Sequence, residues 1–235
     1  MTKLIVFLKY PTIGDVKSRL GNETSMTFSS SIYKKFTSDI LNTLTINKIE
    51  PIIYAKKNKS LNDYKEWLGT SFKIKFQCAG NLGDKLIHAC KQEFKNGYSK
   101  LIVIGTDCPQ ISGSLIHKAM DYLTRSDTVI GPAFDGGYYL IGLNKKAFFD
   151  DMFNDINWST ESVFNETKKK ILSHNRTLHI LPKLSDIDTL QDLSNLISTQ
   201  KNNLPNLSPP DTIYPLLTLN FLKKDPSFTH LFDDK

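Results

Sequence analysis

The first loop of the chain combines residue types that bind phosphate. Residues 9–21 contain Gly14, Lys17 and Arg19, and Pro11 stands near their start. Backbone amides that a glycine leaves accessible, with cations nearby, form a suitable cradle for a diphosphate. The segment matches neither a Walker A nor a GxGxxG pattern, and a solvent loop with surface cations is the competing interpretation. Phosphate binding is therefore predicted from residue types and not from a known motif.

Two aspartates stand where a hard cation could be held. Asp107 comes three positions after the apolar run 101–104, and Asp188 precedes the last predicted helix. Mg²⁺ takes one or two carboxylates together with substrate oxygens. Asp107 could instead begin a turn before Pro109, and Asp188 could cap the helix that follows it. We predict Asp107 as a metal ligand and Asp188 as a second one, with the cap as the alternative.

Two glycines form a second candidate loop. Gly80 and Gly83 follow the third predicted strand and precede a predicted helix. Glycines at such a position could let a base or ribose approach the backbone closely. A plain turn followed by a helix start explains the same residues.

Two further segments combine polar and aromatic side chains. The first places a carboxylate and flexible residues directly before a strand: Asp135, Gly136, Gly137 and Tyr138. A simple Asp-Gly turn is the alternative. The second, Trp158, Ser159 and Thr160, could cap a helix or present an aromatic wall to a substrate.

The elements that must position these residues alternate along the chain. Residues 4–8 form a continuous apolar run, as strands covered on both faces do, and residues 24–46 carry apolar side chains at helical intervals. Further strands are predicted at 52–55, 72–76, 101–104, 129–130, 138–143 and 178–181. Further helices are predicted at 61–68, 82–94, from Ser112 or Ser114 to Leu123, and at 159–172 and 189–197. This order predicts an α/β three-layer sandwich, with a mostly parallel sheet and helices on both faces. Ligands of such sheets gather at the carboxyl ends of the strands.

Composition and length limit the classes of protein. The 235 residues, 40% of them hydrophobic, suffice for one large domain, and we predict that domain at 1–201 and a partly Pro-rich extension at 202–235 that packs on the body or on a second subunit. The net charge of +6 arises from short, scattered runs, which argues against a nucleic-acid surface. Three cysteines without a CxxC pair indicate neither disulfides nor zinc. No segment has the length of a membrane span, and a cytoplasmic protein is expected.

Taken together, the motifs resemble a bacterial family of candidate glycosyltransferases. The resemblance covers residues 3–196 and is carried by six short segments: Pro11-x-x-Gly14-x-x-Lys17-Ser18-Arg19-Leu20, Gly80-Asn81-Leu82-Gly83, Gly105-Thr106-Asp107-Cys108-Pro109, Asp135-Gly136-Gly137-Tyr138, Trp158-Ser159-Thr160 and Asp186-Ile187-Asp188-Thr189. That family is associated with radical-SAM proteins and arsenosugar biosynthesis. It has the GT-A fold, the nucleotide-diphospho-sugar transferase-like fold that nucleotidyltransferases also use. The chain departs from its usual Lys-Thr-Arg-Leu at Ser18, as 2-phospholactate guanylyltransferases do, and from its usual Asp at Asn81.

The resemblance implies a donor site for a nucleoside-diphosphate sugar and a Mg²⁺ or Mn²⁺ ion. Lys17 and Arg19 would hold donor phosphates, the loop at Gly80 and Gly83 would border the base, and Asp107 would hold the metal, completed by Asp188. A small acceptor would lie by Gly136, Tyr138 and Trp158, with Asp135 as the base that removes its proton. A nucleotidyltransferase acting on a phosphorylated small molecule is the first alternative, and a non-catalytic nucleotide-binding relative is the second. A homodimer is also considered.

Overall fold

The computed structural model describes residues 1–203 and 215–229. Its backbone divides into two compact units. The first, here called the sheet unit, comprises Met1–Tyr10, Glu50–Gly105 and Leu115–Leu184. The second, the helical unit, comprises Pro11–Ile49, Thr106–Ser114 and the described part of 185–235. The boundary predicted between 201 and 202 stays a prediction, and residues 204–214 and 230–235 of the predicted extension lie outside the described residues.

A seven-stranded sheet forms the centre of the sheet unit. Its strands lie in the order β3-β2-β1-β4-β6-β5-β7, with β1 at Thr2–Leu8, β2 at Pro51–Ala55, β3 at Lys73–Phe76, β4 at Lys100–Ile104, β5 at Thr128–Pro132, β6 at Tyr138–Asn144 and β7 at Leu178–Ile180. All neighbouring strands are parallel except β6, which pairs antiparallel with both β4 and β5. All five residues of β2 and of β5 are buried, which explains why these strands lack polar alternation.

Helices cover both faces of this sheet. They are α3 (Leu61–Leu68), α4 (Leu82–Lys95), α5 (Gly113–Tyr122) and α6 (Val163–Ser173), and a 3₁₀ turn lies at Asp150–Met152. Side chains of α4 and α6 pack with Ile141 and Leu143 of β6 in one core cluster. Side chains alternate along a strand, so position 142 faces the opposite side of the sheet. There Gly142 lies beside the side chain of Leu123, the residue that follows α5. The predicted α/β fold, a mostly parallel sheet with helices on both faces, is thus confirmed.

The helical unit has its own core. Its helices are α1 (Ser18–Glu23), α2 (Met26–Ile46), α7 (Leu190–Asn203) and α8 (Leu216–Lys223). Apolar side chains of all four helices meet in one cluster, among them Leu20, Ile32, Leu193 and Leu222. The apolar residues from which α2 was predicted are also the ones that it buries, since Ile32, Phe36 and Ile40 are fully buried.

The predicted and the observed elements differ in several places. The helix predicted from residue 159 begins at Val163, because Ser159 has φ 69°, which no α-helical residue adopts. The helix α1 lies inside the segment that we predicted as one loop. The helix α8 was not predicted either, although its apolar residues were expected to pack. At the start of α8, two backbone amides and one hydroxyl donate hydrogen bonds to Asp39 of α2.

Within the described residues, no helix is both long and apolar enough to cross a membrane.

Candidate active site

One buried ammonium joins the two aspartates that the sequence predicted as metal ligands. Lys17 Nζ donates to Asp188 Oδ1 at 2.7 Å and also forms an ion pair with Asp107 Oδ1. The Lys17 side chain is only 3% exposed, whereas the carboxylates of Asp107 and Asp188 are 57% and 38% exposed. The charges therefore meet at a surface where the anions face solvent and the cation lies behind them.

The backbone places Lys17 in this position at an energetic cost. Lys17 precedes the first residue of α1 and has φ 49° and ψ 46°, in the left-handed region. That conformation costs a non-glycine residue roughly 1–2 kcal/mol. The ammonium also lies 5.9 Å from the centre of the Phe36 ring on α2. Strained residues of this kind cluster at functional sites.

Electrostatics keep Lys17 charged. Burial alone would lower the pKa of its ammonium, but the carboxylates of Asp107 and Asp188 outweigh that effect, and the pKa is raised above its ordinary value. The two carboxylates therefore favour the charged form of Lys17.

Hydrogen bonds between two loops bring Asp107 and Asp188 together. The amide of Ile187 donates to the carbonyl of Asp107 at 3.0 Å, and the side-chain amide of Gln110 donates to the carbonyl of Ser185. The Tyr33 hydroxyl of α2 shares a hydrogen bond of 2.9 Å with the buried hydroxyl of Thr106. The sequence predicted Tyr33 only as a core residue, and no spacing signal indicated this contact.

The cap of α7 leaves the Asp188 side chain available for Lys17. The carboxylate of Asp192 accepts from the amides of Asp188 and Thr189 at 3.1 and 2.9 Å, and the Thr189 hydroxyl accepts from the Asp192 amide at 3.2 Å. Thr189 and Asp192 thus form a reciprocal capping pair. Capping was the alternative role for Asp188, and its side chain does not perform it.

The donor set at Asp107 and Asp188 suits a magnesium-type ion. Both side chains offer carboxylate oxygens, and both reach one common point, the Lys17 ammonium. Within the described residues no group of three or more His, Cys, Asp or Glu side chains could hold a metal ion. Two carboxylates completed by substrate oxygens are an ordinary arrangement for Mg²⁺, which keeps waters and substrate phosphates as its other ligands. The residues present therefore fit the ion that the sequence implies.

The remaining residues of the first loop have different environments. Gly14, with φ 87°, is the third residue of a turn closed by a 3.0 Å bond from the Asp15 amide to the Thr12 carbonyl, a position that favours glycine. Pro11 is buried, and its carbonyl accepts from the hydroxyl of Ser30 at 2.6 Å. Arg19 is exposed on α1. Of the two predicted phosphate-binding cations, one is thus buried and the other open to solvent.

Two buried polar atoms in the same loops make no hydrogen bond within the part of the chain that the structure describes. They are Thr12 Oγ1 and Gln110 Oε1. Buried groups of this kind normally bind water or a ligand, which is consistent with a polar site formed by these loops.

The glycines of the second loop, in the sheet unit, serve internal packing. A Cβ on Gly83 would lie 2.4 Å from the Phe153 carbonyl oxygen and 3.0 Å from Trp158 Nε1. At Gly80, which has φ 106°, it would meet the carboxylate of Asp84. Asp84 and Asn81 form the capping box of α4. At both positions, other atoms of the protein thus approach the glycine backbone closely, as we predicted that a base would. Contact with a base stays a prediction.

The loop before β6 is a tight turn. Asp135 Oδ1 accepts from the Gly137 amide at 2.8 Å, and the Gly136 carbonyl accepts from the Phe164 amide at 2.8 Å. Gly136, with φ 90°, has no room for a Cβ because the Glu161 backbone is in contact with it. The Asp-Gly turn offered as the alternative is therefore present, and it leaves the Asp135 carboxylate exposed.

The aromatic residues predicted for the acceptor are largely enclosed in the sheet unit. The ring of Tyr138 meets that of Trp158 edge to face, with centroids 6.4 Å apart, and burial raises the pKa of the Tyr138 hydroxyl. Ser159 is exposed in a left-handed conformation, and the Thr160 hydroxyl donates to the Asn157 carbonyl at 2.6 Å. Ser159 and Thr160 thus belong to the loop before α6, where Ser159 is exposed and Thr160 is half-buried.

Structural comparison identifies proteins of the same fold. A candidate nucleotide-diphospho-sugar transferase from Desulfovibrio desulfuricans G20 superposes with a TM-score of 0.88 at 31% identity, over 100% of this chain and 99% of that one. The 4-diphosphocytidyl-2C-methyl-D-erythritol synthase of Anaerococcus prevotii has a TM-score of 0.54 at 12% identity, over 82% and 95%. A nucleotidyl transferase from Methanothermobacter gives 0.54 at 12%, over 88% and 99%. The last two likenesses show the fold alone.

Sequence comparison gives the family. No curated protein matches the chain. Residues 40–160 match the family described as "Uncharacterized protein conserved in bacteria (DUF2064)". That match spans more than half of the sequence, and the relative from Desulfovibrio is similar over its whole length. The chain belongs to this DUF2064 family.

Proposed function

We propose that this protein is a metal-assisted transferase that moves a sugar from a nucleoside-diphosphate donor to a small acceptor. The observation that carries the proposal is the meeting of Lys17, Asp107 and Asp188. Full-length similarity to a candidate nucleotide-diphospho-sugar transferase supports the class of donor. A cytoplasmic location remains a sequence-based prediction.

The donor diphosphate would be held by the helical unit. Lys17 is a buried cation, and Arg19 is an exposed one two residues further along the chain. Both can pair with phosphate oxygens, Arg19 through two parallel N–H donors. Asp107 and Asp188 would hold Mg²⁺ or Mn²⁺, which when bound would neutralise charge on the leaving diphosphate.

The acceptor residues are proposed from the loops before β6 and before α6. Asp135 is exposed and has one oxygen engaged by the Gly137 amide, so its carboxylate is oriented and accessible, as a general base must be. Ser159 and Thr160 are proposed as polar contacts, and Gly136, Gly137, Tyr138 and Trp158 as the surrounding surface. Gly80 and Gly83 are proposed to border the base.

The donor proposal is tested by calorimetry on the wild type and on Asp107→Asn and Asp188→Asn. We titrate a panel of nucleoside diphosphates with and without Mn²⁺. The wild type should bind one of them in a metal-dependent manner. Each variant should lose at least tenfold in affinity, about 1.4 kcal/mol. Asp63→Asn, which alters a carboxylate in the capping box of α3 in the sheet unit, is the control and should keep the affinity. Unchanged binding by Asp107→Asn would refute the metal role.

The class of reaction is decided by the product. A glycosyltransferase releases a nucleoside diphosphate from a sugar nucleotide, whereas a nucleotidyltransferase releases pyrophosphate from a triphosphate. The nucleotidyltransferase alternative is supported by the shared fold with the Anaerococcus and Methanothermobacter enzymes. Tight binding with neither product would indicate a non-catalytic relative.

A further inference from the structure

The Lys17 ammonium occupies the place where the metal of the proposed function would be held. Its Nζ forms ion pairs with one oxygen of Asp107 and with one oxygen of Asp188. A divalent cation bound by the same two carboxylates would lie against this ammonium, and like charges at such distances repel strongly. Lys17 and a metal ion therefore compete for the same anions.

Charge counting gives the direction of this competition. With Lys17 in place the three side chains carry a net charge of −1, and without it Asp107 and Asp188 carry −2. A buried ammonium without an anionic partner is costly, and the Lys17 side chain is only 3% exposed. The cation can leave the carboxylates only if another anion replaces them.

A phosphorylated ligand would supply that anion. Lys17 stands in the loop whose glycine and cations predicted a diphosphate site, and an ammonium has three donors on a flexible stem.

We propose that Lys17 is an internal counter-ion that blocks metal binding until a diphosphate takes its ammonium, so that the site accepts the metal–diphosphate complex and binds free metal poorly. This inference rests on the proposed function, because it assumes that Asp107 and Asp188 hold the metal. It adds an order of binding and assigns Lys17 two alternating partners. Lys17 is thus both a phosphate ligand and a positioning residue for the two carboxylates.

The test measures protein-bound Mn²⁺ by equilibrium dialysis, for Mn²⁺ alone and for Mn²⁺ with inorganic pyrophosphate. Wild type is compared with Lys17→Met and with Lys34→Met, which removes an exposed cation from α2 of the same unit. Lys17→Met should bind Mn²⁺ alone at least tenfold more tightly than wild type, whereas Lys34→Met should match wild type. Pyrophosphate should tighten Mn²⁺ binding to wild type by a larger factor than to Lys17→Met. Lys17→Gln, which keeps a polar side chain, replaces Lys17→Met if the latter fails to fold by circular dichroism.

The outcomes separate this inference from the proposed function. Tighter Mn²⁺ binding by Lys17→Met that disappears in the double variant with Asp107→Asn supports both. Equal or weaker Mn²⁺ binding by Lys17→Met overturns the counter-ion role. If Asp107→Asn at the same time abolishes Mn²⁺–pyrophosphate binding, the proposed metal site stands and only the counter-ion role of Lys17 is overturned. Absence of Mn²⁺ binding in every variant, with or without pyrophosphate, overturns both.

Discussion

Lys17 combines three features that are individually uncommon. A lysine side chain that is 3% exposed is rare unless it is paired, and a left-handed lysine is uncommon in any protein. Its third feature is the pairing itself, with two carboxylates that are far away in sequence, Asp188 by 171 positions. Burial of a charge and backbone strain both cost free energy, and residues with such costs cluster at functional sites.

The strain at Lys17 predicts a reversal of the usual order of alanine and glycine. Both Lys17→Ala and Lys17→Gly remove the ion pairs, but only alanine retains the left-handed penalty. Lys17→Gly should therefore be more stable than Lys17→Ala by about 1 kcal/mol, in urea denaturation. At Lys34, inside α2, the same pair should show the opposite order by about 1 kcal/mol. Equal stability of the two Lys17 variants would show that the left-handed backbone is not strained.

Asp107 and Asp188, which the sequence assigns to one predicted site, both pair with Lys17 in the structure, whereas the surroundings of Lys17 could not be predicted. Asp107 and Asp188 were predicted together because carboxylates at strand ends and before helices suit a cation. The burial of Lys17 could not be predicted, since a lysine in a glycine-containing loop is ordinarily exposed. Only tertiary contacts, such as the Phe36 ring behind the ammonium, determine that position.

At the scale of elements, segments with a clear hydrophobic pattern were predicted correctly, whereas the short helices α1 and α8 were not. All seven strands and the long helix α2 were predicted, because apolar runs and stripes identify elements that bury a face. The six residues of α1 are too few to show a period. The start of α8 depends on a distant carboxylate, Asp39, and no local residue encodes it.

The contact at Asp39 predicts how α8 is held. Asp39 accepts from the amides of Leu217 and Thr218 at 2.9 Å each and from the Thr218 hydroxyl at 2.6 Å. Asp39→Ala leaves three donors at a buried helix start without an acceptor, which should cost about 2 kcal/mol. Amide exchange in α8 should accelerate in this variant, as measured by mass spectrometry. Ser38→Ala, on the adjacent position of α2, should leave α8 exchange unchanged. Unaltered exchange in Asp39→Ala would mean that apolar packing alone holds the helix.

At the scale of the whole molecule, each unit contains a buried carboxylate, and the two respond to pH in opposite directions. Glu93 of α4 accepts from Tyr54 at 2.7 Å, from Asn96 at 2.9 Å and from Lys75 at 2.5 Å. Burial would raise its pKa, but these donors outweigh burial, and the pKa is lowered. For Asp39 burial prevails over its donors, and the pKa is raised. Both environments depend on residues distant in sequence, so neither direction could be predicted from the chain alone.

These directions determine how acid affects stability. Because the pKa of Glu93 is lower in the folded than in the unfolded protein, its carboxylate contributes stability above the unfolded value of 4.5, and that stability is lost as the pH falls through the folded pKa. Asp39 has the opposite sign, since its raised pKa makes the folded state less stable when the carboxyl is ionised, and protonation relieves that penalty. In urea denaturation between pH 6 and pH 3, Glu93→Gln should therefore lose less unfolding free energy on acidification than wild type. Asp39→Asn should lose more unfolding free energy than wild type, because it cannot gain the stability that protonation of Asp39 provides. Parallel curves for wild type and Glu93→Gln would mean that the donors around Glu93 do not favour its charged form.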